Sequence, residues 1–187
     1  YAEDRDGTMP APFVRADRCR NVAITGEGEL RGNVKWWFRE DRIRKARPMF
    51  LWFEACTNIV LSGVKIRQAA FWTVHTRRCE NVILRGLDLV CTPEGTKRYT
   101  NTDGMDIDST RKVLIEGCSF NQDDDVICMK SGKNEEGRLR AMPTKNVTIR
   151  NCTVVNGHTL LGIGSELSGG IEDVHLENCK VEGEVWK

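Results

Sequence analysis

The sequence is poor in several features that would mark a specialised protein. Its charge is almost balanced, with 28 Lys and Arg against 27 Asp and Glu in 187 residues. That balance excludes the broad basic face with which proteins hold nucleic acid, so cationic contacts to an anionic partner must be local. No apolar run approaches the ~20 residues that a membrane-spanning helix needs, and no signal-peptide pattern is visible. No Cys-x-x-Cys pair occurs among the eight cysteines, which removes the usual zinc and redox signatures. Apolar residues at helical spacing are scarce, whereas the length is enough for one sizeable core.

What is present is a repeat. Six segments resemble one another: CRNVAITGEGEL, CTNIVLSGVKI, CENVILRGLDL, TRKVLIEGCSF, TKNVTIRNCTV and IEDVHLENCKV. Aligned on Val22, Ile59, Val82, Val113, Val147 and Val174, they place Ile24, Leu61, Leu84, Ile115, Ile149 and Leu176 two positions on. Period-2 alternation predicts a strand with one face buried. Four positions on stand only Gly or Asn (Gly26, Gly63, Gly86, Gly117, Asn151, Asn178). These residues tolerate left-handed backbone, so a bend is expected there. A second apolar pair of columns follows, at Val64, Leu87, Cys118, Cys152 and Cys179 and at Ile66, Leu89, Phe120, Val154 and Val181. The first segment has Glu27 and Glu29 in those columns, which suits an end of a stack.

The six anchors are 37, 23, 31, 34 and 27 residues apart. A strand, a bend, a second strand and a return of that length describe one coil of a solenoid. The expected fold is all-β, a parallel β-helix with like positions stacked ~4.8 Å apart. Leucine-rich repeats, the structural rival, need a denser leucine pattern. Cys118, Cys152 and Cys179 then share one interior column, and Cys19, Cys56 and Cys79 another. Reduced, buried thiols explain both columns.

The run Asp123-Asp124-Asp125 places three like charges side by side in an apolar stretch. A third strand per coil is expected around Val74, Ile107, Ile127 and Ile163. Asp103 precedes Ile107, Asp123 and Asp124 precede Ile127, and His158 precedes Ile163, each by three to five residues. Stacking would gather these groups on one outer wall, with Asp125 alternating in another direction. Crowded carboxyls separate their proton affinities, so one holds a proton while another stays ionised. Inverting glycosidases hold such a pair ~6.5–9.5 Å apart with a water between them. The run DGMDID lacks the spaced ligands of a calcium loop, and no metal or other cofactor is expected.

These residues resemble glycoside hydrolase family 28, the polygalacturonase family. Its Asn-Thr-Asp motif stands as Asn101-Thr102-Asp103 and its Asp-Asp motif is read as Asp123-Asp124. Its Gly-His-Gly motif stands as Gly157-His158-Thr159, with Thr in place of the second Gly. The stretch from Arg47 to Val82 is similar to the bacterial exo-acting branch, and the likeness runs over roughly residues 10–187. The resemblance implies a right-handed β-helix and inverting, exo-acting hydrolysis of α-1,4-galacturonosyl bonds in a pectic polysaccharide or oligogalacturonide. It implies Asp123 as general acid, Asp103 and Asp124 as the groups that hold and deprotonate water, and His158 as the residue that tunes the acid. Asn101 and Gly157 are then expected at the substrate, with Lys130, His75 and Trp72 beside them. An Arg-x-Lys motif that binds the substrate carboxylate is expected about one coil after the His, near Trp186-Lys187 where the sequence ends.

The chain is expected to be one β-helix domain over residues 1–187, a fragment of a longer catalytic domain. It is also expected to be monomeric and secreted or periplasmic, without nucleic-acid or membrane partners. Trp36, Trp37 and Trp52 are expected to pack an end or a flanking loop, His175 to lie on the surface, and REDRIRKARP to form a solvated loop. Glu166 is left undecided. Two rival functions share the architecture. A pectate-lyase-like enzyme would eliminate rather than hydrolyse, and a non-catalytic solenoid or inactive truncated hydrolase would only bind sugar.

Overall fold

The period-2 segments form strands that pair in parallel with their counterparts in neighbouring coils. The computed structural model describes residues 10–38, 47–91 and 98–185. Three sheets of six strands make the walls of a parallel β-helix. The first contains Val14–Asp17, Leu51–Glu54, Val74–Arg77, Met105–Asp108, Ile127–Lys130 and Leu161–Ile163. The second contains Arg20–Thr25, Thr57–Ser62, Glu80–Arg85, Arg111–Glu116, Thr144–Arg150 and Ile171–Glu177. The third contains Glu29–Arg31, Lys65–Arg67, Asp88–Val90, Ser119–Asn121, Thr153–Gly157 and Lys180–Val185.

The second sheet has the register read from the repeat. Val22, Ile59, Val82, Val113, Val147 and Val174 are successive partners. All six bend residues have positive φ, from 50° at Asn178 to 121° at Gly26. The first segment differs in the third sheet, where Leu30 rather than Glu29 pairs with Ile66. Its bend holds one extra residue, so the glutamates turn outward and the apolar column is kept. As expected, its strands form one edge of the second and of the third sheet. Asn21, Asn58 and Asn81, one residue before the anchors, are also left-handed. Their amides form a ladder of 2.8 Å hydrogen bonds from Asn81 to Asn58 and from Asn58 to Asn21.

All eight cysteines are free. The Cys79 thiol accepts the backbone N–H of Cys56, and the Cys56 thiol that of Cys19, each at 3.4 Å. The thiols thus satisfy donors at a corner as well as filling it. The columns Ile59, Val82 and Val147, and Leu84, Ile115 and Ile149, are sealed in the middle coils. Each such side chain contributes about 1.5–3 kcal/mol when fully buried. In the last described coil Leu176 and Val181 are 42% and 44% exposed, because no described strand lies beyond them. Trp36 and Trp37 sit on a short flanking helix, Val34–Trp37. Trp52 does not flank the coils; it stands on a strand of the first sheet. Arg47 and Pro48 are the described part of the basic run, and Arg47 is buried rather than solvated. The remainder of that run, residues 39–46, lies outside the described residues, as do Trp186 and Lys187. His175 is exposed. Among the described residues no helix is long and apolar enough to cross a membrane.

Candidate active site

Alternation along the first sheet decides which side chains reach its outer face. Val74, Met105, Ile127 and Leu161 share an inward column, and His75, Asp106, Cys128 and Gly162 the adjacent outward row. The residues that enter these strands are matched by backbone bonds: Gly104 N–H donates to the Asp125 carbonyl and Val126 N–H to the Thr159 carbonyl, each at 2.9 Å. Asp103, Asp125 and Thr159 therefore occupy equivalent positions on successive coils, two residues before the inward column. The sequence pattern aligns Ile107, Ile127 and Ile163, whereas in the structure Ile107 and Ile163 pair with Met129. A slip of two keeps the inside–outside parity, so the strands were right. It moves the acidic partner from Asp123 to Asp125.

The structure accordingly brings together Asp103, Asp124, Asp125 and His158. His158 Nδ1 lies 3.1 Å from Asp125 Oδ1 and 3.8 Å from Asp124 Oδ1. Thr159 Oγ1 donates to Asp125 Oδ1 at 2.7 Å. Asp124 Oδ2 accepts the Asn101 N–H at 2.6 Å, and its Oδ1 accepts the Asp125 N–H at 3.0 Å. Asp124, Asp125 and His158 are each partly exposed, whereas Asp103 is buried. Burial pushes the Asp103 carboxyl well above the usual carboxylate range, the Asp124 charge adds to this, and Lys130 opposes it. A carboxyl of raised proton affinity thus adjoins two further carboxyls on the following coil, in a groove with a water-accessible rim.

Asp123 is not in this cluster. Its side chain is buried and its Oδ2 accepts the Tyr99 N–H at 3.1 Å. It fastens the strand to the loop ahead of Asn101. Asn101 is exposed and left-handed; its backbone holds Asp124, and its Oδ1 accepts from Arg47 at 3.1 Å. Gly157 is buried, and a Cβ there would lie 2.3 Å from Val126 Cγ2. The glycine lets His158 pass close over the preceding coil, where its N–H donates to the Asp124 carbonyl at 3.0 Å. That is a packing role.

Lys130, His75 and Trp72 do not present themselves to solvent either. They are 4%, 1% and 6% exposed and form a layer beneath the carboxyl cluster. His75 Nδ1 faces Met49 Sδ at 3.3 Å and its ring meets Trp72 edge-on. Lys130 Nζ donates to Glu166 Oε2 at 2.9 Å and to the Gly164 carbonyl at 3.2 Å, under the Trp72 ring at 4.7 Å. Sequence reasoning missed Asp125 and Asp106; the signal was the strand register, since Met105 and not Ile107 is the counterpart of Ile127.

Among the described residues two groups bring three donor atoms within 4.8 Å: Asp103, Asp106 and Cys128, and Asp124, Asp125 and His158. The first already has a cation, since Lys130 Nζ lies 3.6 Å from Asp106 Oδ1, and the Cys128 thiol donates to the Gly164 carbonyl. The second is internally hydrogen-bonded. Neither matches the six to eight oxygens of a calcium site, and no metal is assigned to them.

Fold and site define a right-handed parallel β-helix with an acidic, histidine-bearing groove on its first sheet. The chain belongs to glycosyl hydrolases family 28, whose model matches residues 2–185. It is 32% identical over 161 residues to a probable polygalacturonase of Vitis vinifera, covering 84% of this chain and 31% of that one. An exopolygalacturonase from Thermotoga maritima superposes with a TM-score of 0.81 at 31% identity, over 91% of this chain and 46% of that one. A polygalacturonase from Erwinia carotovora shares the fold, with a TM-score of 0.77 at 22% identity. The chain thus spans about a third of the plant relative and just under half of either bacterial structure.

Proposed function

We propose that this chain carries the catalytic groove of an inverting hydrolase acting on galacturonosyl linkages of pectic polysaccharides or oligogalacturonides, from chain ends. The observation that carries the reading is the meeting of Asp124, Asp125 and His158 at the start of adjacent strands, with the buried Asp103 close enough for the Asp124 charge to act on its carboxyl. The names of the relatives, polygalacturonases from a plant and from bacteria, support the substrate class. The 31% identity to a bacterial exopolygalacturonase supports exo action, and a pectic substrate implies work outside the cytoplasm.

With the family's Asp-Asp motif moved onto Asp124-Asp125, Asp124 delivers the proton to the leaving oxygen. Asp103 and Asp125, on adjacent coils, hold a water and take its proton as it attacks the anomeric carbon from the opposite face. The glycosidic C–O bond breaks, one carboxyl ends protonated and another ionised, and exchange with solvent resets the pair. The titration belongs to the cluster as a whole. His158 fixes Asp125 and adds positive charge beside Asp124 when protonated. The test is product analysis on polygalacturonate. Galacturonate monomers released first in the inverted anomeric form, by NMR, support the reading; an unsaturated, ultraviolet-absorbing product would replace it with elimination.

A further inference from the structure

Beneath the groove lies a second charged layer that the reaction above does not use. Asp106 is fully buried, and neither of its carboxylate oxygens finds a hydrogen-bond donor among the described residues. It is faced by Lys130 and Cys128 from the following coil, His75 from the preceding coil, Asp103 from its own coil and Glu166 from beyond Lys130. Lys130 is the cation in direct reach of its carboxylate, 3.6 Å from Oδ1. Among the described residues the ammonium is enclosed by Glu166, the Gly164 carbonyl, Asp106 and the Trp72 face. A buried lysine so enclosed acts on its neighbours and not on substrate.

We propose that Lys130, clamped by Glu166, is a positioning residue for Asp103: its ammonium, 3.6 Å from Asp106 Oδ1, fixes Asp106 and, through it, the neighbouring Asp103 carboxyl. The inference rests on the hydrolytic reading for its link to rate, but its electrostatic part stands on Lys130, Asp106 and Glu166 alone. Burial by itself would make the lysine lose its proton, yet Asp106, Cys128, Glu166 and Asp103 together push its affinity up. Glu166 is likewise buried in part, and Lys130 still holds it below the usual carboxylate range. Asp106, by contrast, is driven up by burial and by Asp103, with Lys130 as the main opposing charge. Without that charge the proton affinity of Asp103 and Asp106 would rise further, and the base that accepts the proton from water would be freed only at a higher pH.

The experiment uses the full chain in four forms: wild type, K130M, D106N and the K130M/D106N double variant. Each is assayed for reducing ends from polygalacturonate across pH and for melting temperature. K130M is expected to lower kcat by about 100-fold with KM within about twofold, and to move the acidic limb of the rate profile to higher pH. It should also lower the melting temperature by about 10 °C, and adding D106N should restore at least about half of that loss. K130R, which keeps the charge, should retain the wild-type limb. A K130M variant with raised KM but unchanged kcat and pH limb would make Lys130 a substrate contact and overturn the proposal. So would strictly additive losses in the melting cycle. Should the wild type release no reducing ends, the hydrolytic reading falls, and the melting cycle still decides this one.

Discussion

Two outer walls of the same solenoid stack charge, and they do so in opposite ways. On the second sheet Glu80 accepts from Arg111 and Lys112, each at 2.7 Å, and Glu116 from Arg85 and Arg150, each at 2.8 Å. Each of these two acids has two bases and partial access to water. On the first sheet Asp103 and Asp106 are buried, three of their four oxygens lack a hydrogen bond among the described residues, and the Lys130 ammonium lies 3.6 Å from Asp106 Oδ1. The same register physics stacks both walls. One arrangement satisfies itself, while the other crowds acids away from water at a cost to stability. A fold tolerates such a wall where the strain of like charges is put to use.

The sharpest way to break that contrast lies within the aspartate run. Asp125→Asn removes the carboxylate that meets His158 and Thr159, and kcat on polygalacturonate should fall by about 1,000-fold. Asp123→Asn keeps an oxygen for the Tyr99 N–H and should retain most of the activity. Steady-state kinetics on both purified variants checks this. Activity lost in Asp123→Asn but kept in Asp125→Asn would return the acid to the position read from the sequence.

That misplacement shows where the sequence was legible. The apolar columns at Val22 and Ile24 recur in five further segments, and each inward residue must be apolar, so the second sheet could be read to the residue. The first sheet has no such redundancy. Its strands are four residues long or shorter, and loops of very different length precede them. Met105, Ile107, Ile127 and Met129 are all apolar and inward, so two registers fit the pattern equally well. Only backbone pairing separates them. The burial of Lys130, His75 and Trp72 was hidden for another reason: what covers an outward-facing side chain is contributed from elsewhere in the chain, as Met49 and Glu166 are here. The bend residues were plain because φ restricts the choice to Gly and Asn.

Packing offers a second comparison, between the middle and the end of one column. Ile115 is sealed and Leu176 is 42% exposed, though both occupy the same inward position. Ile115→Ala should cost about 2–5 kcal/mol, and Leu176→Ala in the same chain clearly less. Denaturant unfolding of the two variants checks this. Equal losses would mean that Leu176 is covered in solution.

The two charged walls also predict opposite pH dependences. Asp103 and Asp106 are raised above the ordinary value of 3.8, mainly by burial. The stability they contribute is complete below that value and is lost as pH rises through their folded values. Glu80 and Glu116 are lowered from 4.5 by their hydrogen bonds to bases, Glu80 to about 2. Their contribution is complete above 4.5 and is lost as pH falls. The melting midpoint plotted against pH should therefore bend on both sides. D103N should flatten the loss on the rising side, and a combined E80Q and E116Q variant the loss on the acidic side. If D103N left the rising side untouched, the buried carboxyls would not be its source.

The smallest effect belongs to the solvated wall taken alone at neutral pH. Glu116 links Arg85 to Arg150 across three coils, yet exposed ion pairs are screened by salt, and the order imposed on long side chains offsets much of their attraction. Glu116→Gln keeps the shape and one acceptor for either arginine, so neither the melting midpoint nor the rate on polygalacturonate should move measurably at moderate salt. A loss in that variant comparable to Ile115→Ala would mean that the stacked ion pairs hold neighbouring coils together as strongly as the apolar columns do. The contrast between the walls would then lie in their chemistry alone and not in what each contributes to the fold.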